Sequence, residues 1–151
     1  MTAVGKVIAF PPGGGSAHRI GADQFRLKGE AADRGEAFSV IEYQGAPHIP
    51  GPPPHVHRSF EEAWYVLEGE VEFTSRKDVL RAAPGTYLYV PRGVPHTFRV
   101  LGATPARWVG IFAPGRYVAL LEELGALLPA AGPPDPQALA ALFGRYDTDL
   151  V

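Results

Sequence analysis

Glycine and proline punctuate this chain at short intervals, and that feature excludes most architectures before any motif is read. The 18 glycines and 16 prolines fall between apolar segments and do not gather in one linker. From about Phe38 to Phe112 they separate AFSVIEY, AWYVLEG, EVEFTS, TYLYVP, HTFRVLG and ARWVGIFAP, pieces rich in aromatic and β-branched residues with partial alternation of polar and apolar positions. Two further strand-like pieces, GKVIAF and DQFRLKG, precede them. Segments of this length, without helical periodicity between them, predict an all-β antiparallel sandwich or barrel and argue against a parallel β-α-β sheet.

The last third differs. Tyr117, Leu120, Leu121, Leu124, Leu127 and Leu128 recur at helical spacing, and Leu139, Leu142, Phe143 and Tyr146 do so again. AAGPP separates the two stretches, and Asp135 followed by Pro136 supplies an N-cap and a first-turn proline for the second. The expectation is one domain over 1–151: N-terminal strands within 4–28, a barrel over about 36–114 and two helices over about 115–146. Both leucine stripes are expected to face the core.

Composition narrows the chemistry. A content of 46% hydrophobic and 20% charged residues fits a folded globular protein, and 151 residues suffice for one sizeable core. The net charge is −2 and there is no lysine- or arginine-rich run, so nucleic acid is not an expected partner. Cysteine is absent, which removes disulfides, thiolate metal sites and cysteine nucleophiles. No apolar run reaches the roughly 18 residues that span a bilayer, and the N-terminus lacks a signal-peptide pattern. A cytoplasmic protein without a membrane partner is expected.

The stretch PPPHVHRSFEEAWYVLEGE carries the candidate chemistry. His55 and His57 stand at i and i+2, so in an extended segment both imidazoles project from one face. Of the acids that follow, Glu62 shares parity with Trp64 and Val66 and Glu61 with Tyr65 and Leu67; apolar content alone leaves the inward acid open, and the choice of Glu62 rests on the motif spacing given below. His96, in PRGVPHTFRV, opens another strand with Phe98 and Val100 on its own face. Three imidazoles and one carboxylate suit a divalent transition ion; iron, manganese, nickel, cobalt, copper and zinc all remain open. Phe60, Trp64, Phe98, Val100 and Phe112 are candidate walls of a pocket for a small organic substrate. His18 and His48 read as loop histidines without partners. Tyr87 and Tyr89 fall on the face opposite Leu88 and Val90, outside the barrel, where a homodimer contact would cover them.

These spacings resemble the two signatures of the cupin superfamily. The first reads His55, one residue, His57, four residues, Glu62, six residues, Gly69; the second reads Gly85, five residues, Pro91, one residue, Gly93, two residues, His96. The flow from GEAFSVIEY to EVEF is similar to that of bacterial monocupins described as quercetin-dioxygenase-like. The resemblance implies a double-stranded β-helix, a jelly-roll barrel, holding a metal on His55, His57, Glu62 and His96. It departs in two places: Val100 replaces a usual asparagine, and Gly51 stands ahead of the histidine pair with Pro52, Pro53 and Pro54 between. The leading expectation is a metal-dependent dioxygenase acting on an enol- or catechol-type substrate, with Glu62 as ligand or proton acceptor. A non-catalytic ligand- or metal-binding cupin and a metal-dependent isomerase or epimerase are the alternatives.

Overall fold

The computed structural model describes residues 7–29, 37–128 and 133–151. Eleven strands and two helices are present among them: β1 (Ser16–Ile20), β2 (Asp23–Lys28), β3 (Ser39–Gly45), β4 (His55–His57), β5 (Glu61–Glu68), β6 (Glu70–Ser75), β7 (Asp78–Ala82), β8 (Tyr87–Val90), β9 (Thr97–Leu101), β10 (Ala106–Ala113), α1 (Ala119–Leu127), α2 (Pro136–Arg145) and β11 (Thr148–Leu150). A single 3-10 turn, Gly115–Val118, leads into α1.

One sheet has the order β1-β2-β3-β10-β5-β8, all neighbours antiparallel. The opposite layer is made of β7-β6-β9 and the pair β11-β4. A bridge joins these two pieces: His55 N–H donates to the His96 carbonyl at 3.1 Å and His96 N–H returns the bond at 3.0 Å. The layers do not close into a continuous barrel, yet they form a jelly-roll arrangement with a shared interior. Trp64 of the first layer meets Phe73 and Phe98 of the second edge-on, with centroids 5.5 and 4.7 Å apart.

Period-two patterning explains which side chains fill that interior. Buried and partly exposed positions alternate along β3 and β10, placing Ile41, Tyr43, Trp108 and Phe112 inside. β5 resolves the ambiguous doublet in the same way. Glu62, Trp64 and Val66 are buried, whereas Tyr65 and Leu67 are exposed and Glu61 pairs with Arg92 at 3.4 Å on the outside. The turn between β5 and β6 requires Gly69: its φ is +72°, and a Cβ there would lie 2.7 Å from the Ala106 Cα.

The C-terminal helices follow the predicted pattern, including the N-cap, where the Asp135 carboxylate accepts from the Gln137 N–H at 2.9 Å. Four features differ from expectation, the first being β7, which no strand-like segment marked. Of GKVIAF, residues 5 and 6 lie outside the described residues, and Val7–Phe10 joins no strand; Val7 is 95% exposed, so its β-branching has no sheet to pack on. The N-terminal hairpin is instead β1 with β2, beginning directly after the glycine run. The strand β11 was not anticipated at all. Among the described residues no helix is long and apolar enough to cross a membrane.

Candidate metal centre

β4 is only three residues long, but all three are buried, and its pairing with β11 on one edge and the His96 bridge on the other fix it between two partners. His55 and His57 therefore project together from one short, rigid strand, as their i, i+2 spacing requires. His96 enters from the start of β9 and Glu62 from β5. Side-chain nitrogens of His55, His57 and His96 all lie within 4.8 Å of one another, and the three residues are buried. Glu62, also buried, places Oε1 3.1 Å from His57 Nε2 and Oε2 3.9 Å from His96 Nε2.

The hydrogen bonds around this cluster decide which nitrogen faces inward. His55 Nδ1 lies 2.9 Å from the Pro53 carbonyl and His96 Nδ1 2.9 Å from the Val94 carbonyl. A carbonyl only accepts, so each Nδ1 carries the proton. His57 Nδ1 is 2.9 Å from Thr148 Oγ1, whose own hydroxyl donates to the Tyr146 carbonyl at 3.1 Å, so here too Nδ1 donates. In a neutral ring each Nε2 is then a bare lone pair. The Nε2 atoms of His57 and His96 are buried and have no hydrogen-bond partner; the approach of Glu62 Oε1 to His57 is close but not aligned for one. Buried polar atoms left without partners are uncommon in folded proteins. Two of them beside a buried carboxylate, with Nδ1 anchored behind, fit the ligand set of a cation.

Electrostatics agree with that fit. Burial, followed by the neighbouring His96 and His57, presses His55 down to about 4, and burial likewise lowers His96 against the pull of Glu62. Both rings are neutral, and so able to ligate, at neutral pH. Burial raises the Glu62 carboxyl, but the imidazoles, His57 foremost, outweigh it and hold the group at about 2, so it enters the site as a carboxylate. Trp64 Nε1–H donates to Oε2 at 3.2 Å and fixes its direction. Each imidazole is backed by a phenyl ring: Phe60 stacks on His57 with centroids 4.0 Å apart, Phe73 on His96 at 5.5 Å, and Phe143 tilts against His55 at 5.9 Å.

A cavity of about 450 Å³ opens over His55, His57 and Glu62. Trp64, Phe98 and Phe112 line it, as does Trp108. Phe60 and Val100 do not: Phe60 is fully buried between His57 and Tyr117, and Val100 is buried in the core, opposite Val71 in the β6–β9 register. The leucine stripes of α1 and α2 face the core as expected, with Leu120, Leu139 and Leu142 buried in it and Leu121 and Leu124 packed against it; Leu121, Leu124 and Leu139 also border this cavity. Tyr43 and Asp23 are the further polar wall, joined by a 2.7 Å hydrogen bond from the Tyr43 hydroxyl. Sequence reasoning missed Thr148, Phe73 and Phe143. Thr148 sits 91 residues from His57, and no local pattern marks it.

Comparison with known proteins gives consistent relationships. Residues 41–112 match the family model described as a cupin domain. The chain is 30% identical over 140 residues to quercetin 2,3-dioxygenase of Bacillus subtilis (strain 168), an alignment covering 91% of this chain but only 37% of that protein's length. Among solved structures, the polyketide cyclase RemF from Streptomyces resistomycificus superposes with a TM-score of 0.55 at 25% identity, covering 64% of this chain and 72% of that one. An RmlC-like cupin from Shewanella frigidimarina superposes with a TM-score of 0.60 at 19% identity, covering 74% and 94% respectively, a likeness of fold.

Proposed function

Because the chain belongs to the cupin family, we propose that it is a metal-dependent dioxygenase acting on a small, planar substrate with an enol or catechol hydroxyl. The observation that carries this reading is the set of inward imidazole nitrogens and one buried carboxylate at the floor of an apolar cavity of about 450 Å³. His55, His57, His96 and Glu62 would hold the ion, and the donor set admits iron, manganese, nickel, cobalt, copper or zinc. When bound, such an ion supplies Lewis acidity and, for the redox-active members, electrons for coupling dioxygen to an electron-rich substrate.

The chain's own residues supply the rest. Trp64, Phe98, Trp108 and Phe112 offer aromatic faces against which a flat ring packs in offset or edge-on contact. The leucines of α1 and α2 add apolar wall to the cavity, which strengthens charge interactions within it. Glu62, oriented by Trp64, is positioned as a ligand or as the acceptor of the substrate's hydroxyl proton. Similarity to a quercetin 2,3-dioxygenase over most of this chain supports the assignment.

The test is oxygen consumption by protein loaded with each ion in turn and offered flavonols, catechols and β-diketones. Uptake that requires metal and disappears in His96→Ala is the expected result. Absence of uptake for every metal and substrate pair overturns the proposal. A second reading, isomerisation or ring closure without oxidation, is favoured by the likeness to a polyketide cyclase and would show turnover under anaerobic conditions.

A further inference from the structure

Two of the three imidazoles are oriented by carbonyls two residues earlier in the chain, a local arrangement that side-chain substitution cannot remove. His57 is different. Its Nδ1 is held by Thr148, a side chain in the C-terminal strand directly opposite it in the β4–β11 register. Thr148 is 2% exposed, and its hydroxyl proton is committed to the Tyr146 carbonyl, leaving Oγ1 able only to accept from the ring.

The same C-terminal segment grips His57 from a second side. Asp147, at φ +49°, turns the chain from α2 into β11; its carbonyl accepts from the Arg58 N–H at 2.9 Å and its carboxylate from the Tyr117 hydroxyl at 3.1 Å. Tyr117 stacks on Phe60 at 4.6 Å, and Phe60 stacks on His57 at 4.0 Å. Val151 N–H to the Pro54 carbonyl, at 3.0 Å, and the Arg58–Asp149 ion pair close the far end of the strap.

From this circuit we infer that Thr148 is a positioning residue of the metal centre. It sets the tautomer of His57, so that the bare nitrogen is the one facing His55, His96 and Glu62, and thereby ties metal affinity to docking of the C-terminal strand. The inference rests on the metal-site reading given above. Replacing the hydroxyl by a methyl leaves Nδ1–H without an acceptor in a buried site, and the neutral ring then gains by moving its proton to Nε2, towards the Glu62 carboxylate 3.1 Å away, which accepts it once the side chain turns into line. That tautomer cannot ligate.

The test compares full-length wild type, Thr148→Val and Thr148→Ser by two readouts. The first is Ni²⁺ affinity by competition with a chelator: Val should bind roughly 10- to 100-fold more weakly and Ser should stay near wild type. The second is the imidazole nitrogen NMR spectrum of the metal-free proteins, in which His57 should carry its proton on Nδ1 in wild type and Ser and on Nε2 in Val. A Val variant with wild-type affinity, or wild-type His57 protonated on Nε2, overturns the inference. Should Val fail to fold, the wild-type and Ser spectra still decide it. Wild type that binds no Ni²⁺ removes the metal-site reading, while the spectra continue to report whether Thr148 sets the tautomer.

Discussion

Burying His55 in a cluster of imidazoles makes the metal-free protein acid-sensitive in a defined window. The ring's ordinary value of 6.5 falls to about 4 in the folded chain. Between those limits the unfolded state binds more protons than the folded state, so stability is complete above pH 6.5 and is lost as pH falls towards 4. At pH 5 the loss from this residue is about 2 kcal/mol relative to pH 7.5, at 1.36 kcal/mol per pH unit. With a urea dependence of about 2 kcal/mol per molar, the unfolding midpoint should drop by about 1 M. His96 is lowered for the same reason and adds in the same direction. Glu62 acts lower, holding its contribution above 4.5 and losing it as pH falls towards about 2, so a comparison of pH 7.5 with pH 5 isolates the imidazoles. The assay is urea unfolding of chelator-treated protein, followed by fluorescence, for wild type and His55→Gln. The variant should recover much of the 1 M drop. An equal drop in both proteins would refute the account of a buried, neutral His55.

Four further outcomes are expected. His57→Ala or His96→Ala should abolish stoichiometric metal retention, read by elemental analysis, because each removes a buried nitrogen that has no other partner. Trp64→Phe deletes the N–H that orients Glu62 and should lower stability by about 1.5 to 3 kcal/mol at pH 7, measured by denaturant unfolding. Gly51→Ala would set a Cβ 1.5 Å from the Phe98 carbonyl oxygen and should destabilise on the order of 3 kcal/mol, seen as a lowered melting temperature. Tyr65, Tyr87 and Tyr89, exposed on β5 and β8, are proposed as a homodimer contact; Tyr87→Glu with Tyr89→Glu should shift sedimentation from dimer to monomer, and a monomeric wild type would refute that surface.

Much of the fold could be read locally. The strands β3, β5, β6, β9 and β10 announce themselves by alternation, because each residue's face depends only on its parity within an extended segment. His55 and His57 are brought together by the same rule, and α2 begins at its Asp-Pro cap. β7 and β11 were not readable. Their pairing energy comes from β6 and β4, and nothing in five or three residues distinguishes them from loop.

The sequence alone determined which side chains are available as ligands and which face of each long strand turns inward, since both follow from spacing along a continuous backbone. Tertiary structure decided what those ligands can do. The proton on His57 is placed by a threonine 91 residues away, and the leucines of α1 and α2 border a cavity because α1 packs on β1 and α2 on β11, beside the site. Hydrogen-bond direction and empty volume are set by elements that meet only after folding, so no periodicity in the chain encodes them.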